Sequence, residues 1–437
     1  MQRVLSFQMA RGLSESSEFV TKRMCFSLIF SIGFLALLSG FLLGRFATQR
    51  AIEFRAEKKR LELAGNGLEN TEYLQRFVLE QLERAPLDPD FEMKWDSFYL
   101  KEDDIHQVNN ILSNLSLIEK VVKYQSYIVA TVRGAREPDR YVVLSASGEG
   151  VGIALELAKI FNQIQEEYTW KPRRSIIFCL FSASSNPCPE MLSSFLPHKI
   201  VAYIVVDHQA LQGHFIVSGS DIVQFMVLES ASIVKDWFSY NNQLLSSNNT
   251  FYNVTTSRLA LDVPHAVLSY MNNNITCNEN HHERELRKII LAQIVGQTIW
   301  KFSECLIIKW NPSYFNSTAL DALKSINNTE LLEVKGTKLC NFYKLHKILL
   351  FIYYKLQHFI NIENLFLFCY STLDTRILND LLMDLDRILL CPDKQNQSRT
   401  DWSKFFRLNH EPSNKIIMYM NEVVKCYENA IQLLQDR

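Results

Sequence analysis

Arg140–Gln165 reads RYVVLSASGEGVGIALELAKIFNQIQ, and the change of period inside it decides the fold class. Through Ala146 the run is β-rich. From Val151 the apolar residues recur at helical spacing, so a strand passes into an amphipathic helix through Ser147-Gly148-Glu149-Gly150. Just upstream, Ser126–Arg133 (SYIVATVR) is another β-rich run, joined to the first by a turn through Gly134 and Pro138. Downstream, Ser175–Phe181 (SIIFCLF) and Ile200–Val206 (IVAYIVV) are apolar runs of the kind expected when both sheet faces are covered. Strands alternating with helices imply an α/β sheet with parallel members.

Outward from this centre the chain turns helical. Thr71–Arg84 carries apolar residues at helical spacing and stops before Pro86. Ile222–Phe238 and Glu283–Cys305 read as helices, as do Lys344–Phe359, Asp374–Leu390 and Asn414–Gln435 near the end. With 437 residues, 47% of them apolar, there is room for a sizeable core. A net charge of −1 supplies no field to recruit nucleic acid, which is not expected as a partner.

Met24–Gly44 is a run of twenty-one uncharged residues between Lys22-Arg23 and Arg45. Such a helix spans roughly 30 Å, enough for the hydrocarbon core of a bilayer. It is too long for a cleaved signal peptide, and no small-residue cleavage pattern follows. A signal anchor is the expectation, with residues 1–23 as a cytoplasmic tail, 24–44 as the transmembrane helix and 45–68 as a stalk. The flanking charges (Arg45, Arg50, Arg55, Lys58, Lys59 and Arg60 against Arg3, Arg11, Lys22 and Arg23) would by themselves put the C-terminal side inside. Seven Asn-x-Ser/Thr sites oppose that, at Asn114, Asn248, Asn253, Asn274, Asn316, Asn327 and Asn396, all beyond the span. Eight of the nine cysteines lie there too, an even number that suits disulfides. Cys179, inside an apolar strand, reads as a buried thiol. A type II glycoprotein of the plasma membrane or secretory pathway is expected.

Glu137–Gly150 (EPDRYVVLSASGEG), Trp170–Ser185 (WKPRRSIIFCLFSASS) and Val201–Gly213 (VAYIVVDHQALQG) together resemble the glutamate carboxypeptidase II and transferrin receptor family. Leu261–Tyr270, Leu291–Glu304 and Leu378–Leu390 extend the resemblance in order along the chain. The resemblance implies a type II membrane protein with a zinc-aminopeptidase-like, mostly parallel sheet flanked by helices. The α/β domain would cover 69–310, and a helical, dimerisation-like domain 311–437. It also implies a homodimer with an unidentified protein ligand. The family's protease-associated insertion has no room, since Ala85–Val122 leaves fewer than forty residues for it.

A dizinc hydrolase needs His and carboxylate ligands, a bridging carboxylate and a general-base Glu. Where the resemblance places a His-x-Asp, this chain has Ser147-Gly148-Glu149, and the loop carrying the bridging Asp has no counterpart before the helix. Where it places adjacent glutamates, the chain has Ser184-Ser185, and a hydroxyl is neither a base near neutral pH nor a charged ligand. Only Asp207 matches a ligand position, and with the other ligands gone it reads as a strand-terminal Asp bonding loop amides. His281-His282 with Glu285 reads as a solvated helix start, and His208 and His265 as surface or satisfied core histidines. Gly148-x-Gly150-x-Gly152 imitates a dinucleotide fingerprint, but Ile153 stands where its third glycine belongs. Nor does Ser147 sit in the G-x-S-x-G turn of a serine hydrolase. The expectation is a non-catalytic receptor or binding scaffold with no catalytic residues, no metal and no cofactor. The competing reading is an active zinc carboxypeptidase or dipeptidase with displaced ligands drawn from Glu149, Asp207, His208, His281 and His282.

Overall fold

In the computed structural model of the chain, the alternating apolar runs form a single mixed sheet. The structure describes residues 26–46, 71–85, 102–124, 127–181, 197–206, 214–234, 263–271, 281–311, 372–389 and 424–433, with a few single positions that include Cys188. The chain divides into two units, residues 1–60 and 61–437. In the first, helix α1 (Phe26–Phe46) has no buried side chains and is long and apolar enough to cross a membrane. It overlaps the run read from sequence at 24–44.

The second unit runs α2 (Thr71–Arg84), α3 (Glu102–Ser113), β1 (Lys120–Lys123), β2 (Tyr127–Val132), β3 (Glu137–Ser147), α4 (Glu149–Tyr168) and β4 (Arg174–Phe181). It continues with β5 (Ile200–Val206), β6 (His214–Gly219), α5 (Asp221–Ala231), β7 (His265–Met271), α6 (His281–Glu304), α7 (Thr372–Leu389) and a helical stretch α8 over 424–433. The seven strands lie in the order β1-β2-β4-β3-β5-β7-β6. β4, β3, β5 and β7 are parallel, while β1, β2 and β6 pair antiparallel with their neighbours.

The turn after β2 does not bring β2 and β3 together as neighbours. β4 lies between them, pairing with β2 on one side and β3 on the other. Three amides of the turn explain this, for Ala135, Arg136 and Glu137 donate to the carbonyls of Pro172 and Arg173 at the entry to β4. Three elements are additional to those read from sequence. α3 occupies part of the stretch between 85 and 122, β1 is a lysine-bounded edge strand, and β6 closes the opposite edge.

Period-two alternation sorts the strand residues between two faces. Val142, Leu144 and Ala146 of β3, with Ile176, Phe178 and Leu180 of β4, face the main core against α2, α4 and α6. Val143, Ile177, Cys179 and Val205 point to a smaller cluster on the other face. In the main core the rings of Trp170 and Trp300 stack at 5.0 Å, with Phe161 against both. Each such fully buried side chain is worth about 1.5–3 kcal/mol. The described parts of α7 and α8 feed this same core through Leu382, Leu385, Val424 and Tyr427.

Cys179 is not the free thiol its apolar strand implied. It forms a disulfide with Cys188, both sulfurs buried. The strand position hid this, because a half-cystine and a buried thiol are equally apolar. Cys426 is also disulfide-bonded, and Cys305 is free.

Candidate functional site

Consecutive strands β4 and β5 flank β3 on opposite sides, so the chain reverses its direction of winding beside β3. In open α/β sheets, ligands bind at the carboxyl ends of the strands where such a reversal splays the connections apart. The place to look is therefore the rim formed by Ser147, Phe181 and Val206, which end β3, β4 and β5.

Ser147 is buried and lies in register with Phe181. Only Gly148 separates β3 from α4, and it makes that turn with φ 55°, in the left-handed half of the map where glycine is at ease. Val151 donates its amide to the Gly148 carbonyl at 3.1 Å, and no side chain caps the helix start. Gly150 follows at once, packed onto the end of β5. A Cβ there would stand 2.8 Å from Cγ1 and 3.1 Å from Cβ of Val206. At this rim the start of α4 therefore lies directly against the end of β5. On the far side of β4 a small hollow is lined by Ile105, Val108, Tyr127, Ile128, Val151, Leu180 and Phe181, carbon-rich walls with no ionisable acid or base except the Tyr127 phenol.

Of the other residues singled out from sequence, His265 stands at the start of β7, away from this rim. It is buried, its Nδ1 lies 3.2 Å from the Val263 carbonyl, and its amide donates to Ser220 Oγ. It is a satisfied core histidine. His281 opens α6, while half-buried Glu285 pairs with Lys288 at 3.6 Å. Ser184, Ser185, Asp207 and His208 lie outside the described residues, as do the side chains of Glu149, His281 and His282. Among the described residues no three His, Cys, Asp or Glu side chains gather so as to hold a metal. Among the described residues of the rim the one side-chain donor is the Ser147 hydroxyl, which by itself does not fit a zinc pair. Asn114 is exposed at the end of α3, and Ser116 of the same sequon bonds Asn162 Oδ1 at 3.0 Å. The remaining six sequons lie outside the described residues.

The charges sit instead at the amino ends of the same strands. Glu137, at the head of β3, receives Arg173 at 2.7 Å and Arg174 at 2.9 Å, all three buried. Burial works to raise the Glu137 carboxyl, but Arg174 and Arg173 overcome it and hold the group below its ordinary value. Arg174 also donates to the Phe302 carbonyl at 2.7 Å, and the Arg173 amide to Glu304 Oε1 at 3.1 Å, which fastens the end of α6 to the sheet. Burial pushes Glu304 up to about 8, against the pull of the Arg173 amide. This cluster was not anticipated from sequence, although Arg173-Arg174 directly before an apolar strand was its visible trace.

No protein-family model matches the chain. Transferrin receptor protein 1 of Gallus gallus is 35% identical over 121 residues, covering 24% of this chain and 16% of that protein. Aminopeptidase NAALADL1 of Mus musculus is 26% identical over 151 residues, covering 28% of this chain and 20% of that protein. The chain thus spans about a fifth or less of the length of these curated relatives. Among solved structures, the Legionella pneumophila LapA aminopeptidase aligns with a TM-score of 0.32 at 10% identity, over 59% of this chain and 74% of its own.

Proposed function

We propose that this chain, a divergent relative of the glutamate carboxypeptidase II and transferrin receptor family, is a membrane-anchored binding protein that performs no peptide hydrolysis. One observation carries the reading. Gly150 lies against Val206 where the topology would open a catalytic crevice, three residues after β3 ends. No loop intervenes to carry a bridging carboxylate, and β3 offers Ser147 where zinc would need imidazole. Among the described residues, the rim offers no group to polarise a peptide carbonyl or lower the pKa of a water.

The sheet then serves as a scaffold. α1 anchors the chain, and the domain beyond it lies outside the cytoplasm. The disulfide between Cys179 and Cys188 supports that side, because such bonds persist in oxidising compartments. The exposed Asn114 sequon supports it too. Self-association through the C-terminal helices, α7 among them, makes the protein a homodimer and leaves the rest of the surface for a protein ligand.

The test uses the purified full chain in detergent. Its zinc content is measured by mass spectrometry, and acidic dipeptides are offered as substrates. We expect neither stoichiometric zinc nor turnover. Near two zinc per chain, with turnover abolished by Asp207→Ala, would overturn the reading. A mobility shift on N-glycosidase treatment of the cell-expressed protein checks the orientation.

A further inference from the structure

In the sequon Asn114-Leu115-Ser116 the asparagine is open to solvent, but the serine hydroxyl is already committed. α3 ends at Ser113, and the chain leaves it through tight turns. The Asn114 amide donates to the carbonyls of Asn110 and Ile111, both at 3.2 Å, and the Leu115 amide to that of Leu112 at 3.3 Å. Ser116 Oγ lies 3.0 Å from Asn162 Oδ1 and 3.2 Å from Glu166 Oε1, both on α4. The next amide, that of Leu117, donates to the same Asn162 oxygen at 2.9 Å, and Asn162 Nδ2 donates to Glu166 Oε1 at 2.8 Å. Leu117 and Asn162 are both buried. The sequon is thus fastened to the C-terminal half of α4.

N-linked transfer reads the asparagine together with the hydroxyl two residues on. On an extended chain the side chains at those two positions project from the same side. On a helix, or on the turn that closes one, they do not face each other. The folded protein therefore displays Asn114 while withholding the partner that makes it an acceptor. In the transfer itself, Nδ2 of Asn114 attacks C1 of an oligosaccharide carried on a lipid pyrophosphate. A C–N bond replaces the C–O bond to the phosphate, the lipid pyrophosphate leaves with the electron pair, and Nδ2 gives up one proton. Nothing is oxidised or reduced.

We propose that Asn114 carries an N-linked glycan added only to the unfolded chain, and that folding then closes the sequon by handing the Ser116 hydroxyl to Asn162. The inference rests on the reading that this domain lies outside the cytoplasm. Ser116 then has two partners in succession, the transferase on the nascent chain and α4 in the finished fold. The glycan costs no packing, because Asn114 is exposed. β1, which follows the sequon, runs in the same direction as β4, since both are antiparallel to β2. The sugar therefore emerges towards the amino ends of the parallel strands and leaves the Ser147 rim uncovered.

Two measurements on the full chain test this. In protein made by secretory cells, the mass increment that N-glycosidase leaves in heavy-oxygen water should map to Asn114. Full chain synthesised without membranes and folded in detergent is then offered to purified oligosaccharyltransferase with a lipid-pyrophosphate oligosaccharide. Its tryptic digest, in which cuts at Lys101 and Lys120 leave the sequon whole, is the unfolded reference. The folded chain should be modified at Asn114 about a hundredfold more slowly than the digest, the protection given by some three hydrogen bonds of ordinary strength. Asn162→Ala spares the sequon but removes the acceptor, and should raise the folded rate about tenfold. Equal rates for folded chain and digest would overturn the proposal whether or not that variant folds, and so would a folded variant as well protected as the wild type. Asn114 empty in cell-made protein whose other sequons are occupied would also overturn it. All seven sequons empty would instead overturn the orientation, and this inference with it.

Discussion

β3 and β4 lie side by side in parallel, yet their two ends are built from opposite materials. At the amino end, Glu137, Arg173 and Arg174 form a buried ionic knot that also holds the end of α6. At the carboxyl end, Ser147 lies beside Phe181 and Gly150 against Val206, contacts that carry no charge. The same pair of strands shows that this protein keeps buried charge where a fixed counter-charge and carbonyl acceptors surround it. Where a peptidase would need charge for chemistry, the described rim has none. Buried ions are costly unless paired and fully hydrogen-bonded. Paired and hydrogen-bonded as they are, the ions of the amino rim mark that rim as structural.

Breaking the knot should produce the largest effect. Glu137→Ala leaves two buried guanidinium groups facing each other, a loss of about 3–5 kcal/mol in chemical denaturation. The knot also fixes a direction for acid. Glu137 is held below its ordinary 4.5, so its contribution is present above that value and disappears as the pH falls through the lowered one. Acid unfolding of the wild type should therefore steepen below about pH 4.5, and a folded Glu137→Gln variant should lack that steepening.

The opposite rim should resist bulk and ignore chemistry. Gly150→Val drives a side chain into Val206 and should cost about 1–3 kcal/mol. Ser147→Ala at the neighbouring position should cost less than about 1 kcal/mol. A Ser147→Ala variant as damaging as Gly150→Val would mean that the hydroxyl has a role that packing does not reveal.

The strands of the centre were legible because period-two and fully apolar runs belong to the chain itself. Their neighbours were not. Nothing in SYIVATVR says that β4 will slip between it and β3, because the three amides that decide this bond to carbonyls near Arg173, some forty residues on. β1 escaped notice because KVVK is four residues long, and a short edge with charged ends looks like any loop. At the candidate site, the hydroxyl at the end of β3 and the short turn into α4 could be read from Ser147 and Gly148. The contact of Gly150 with Val206 could not, because it joins two elements across the sheet. The ionic knot was hidden for the same reason, since Glu304 and Arg173 meet only after α6 has crossed the core.

A smaller effect is expected where charge is only half-buried. β3 bulges between Glu137 and Tyr141, and there Arg140 forms a two-pronged pair with Asp380 of α7 at 2.6 and 2.8 Å. Asp139 joins the same network through Arg140 and Arg376. Asp380→Ala should lower stability by about 1 kcal/mol, and the loss should shrink further in high salt. A loss as large as that of Glu137→Ala would erase the distinction between buried and half-exposed ion pairs on which the contrast of the two rims depends.

The smallest expected effect is none at all. A ligand that binds only the folded state stabilises it by about 2.7 kcal/mol at a hundredfold excess over its dissociation constant. Micromolar zinc added to the full chain should leave the thermal midpoint where it was. Ser147→His should not change that result, because one imidazole at the end of β3 adds a single donor to a rim whose described residues include no bridging carboxylate and where Gly150 is seated on Val206. Zinc-dependent stabilisation of the His variant alone would show that the rim yields readily and that the lost imidazole was the main thing missing. Stabilisation of the wild type would show ligands converging from beyond the ends of the strands, and the contrast between a charged structural rim and an inert one would fail.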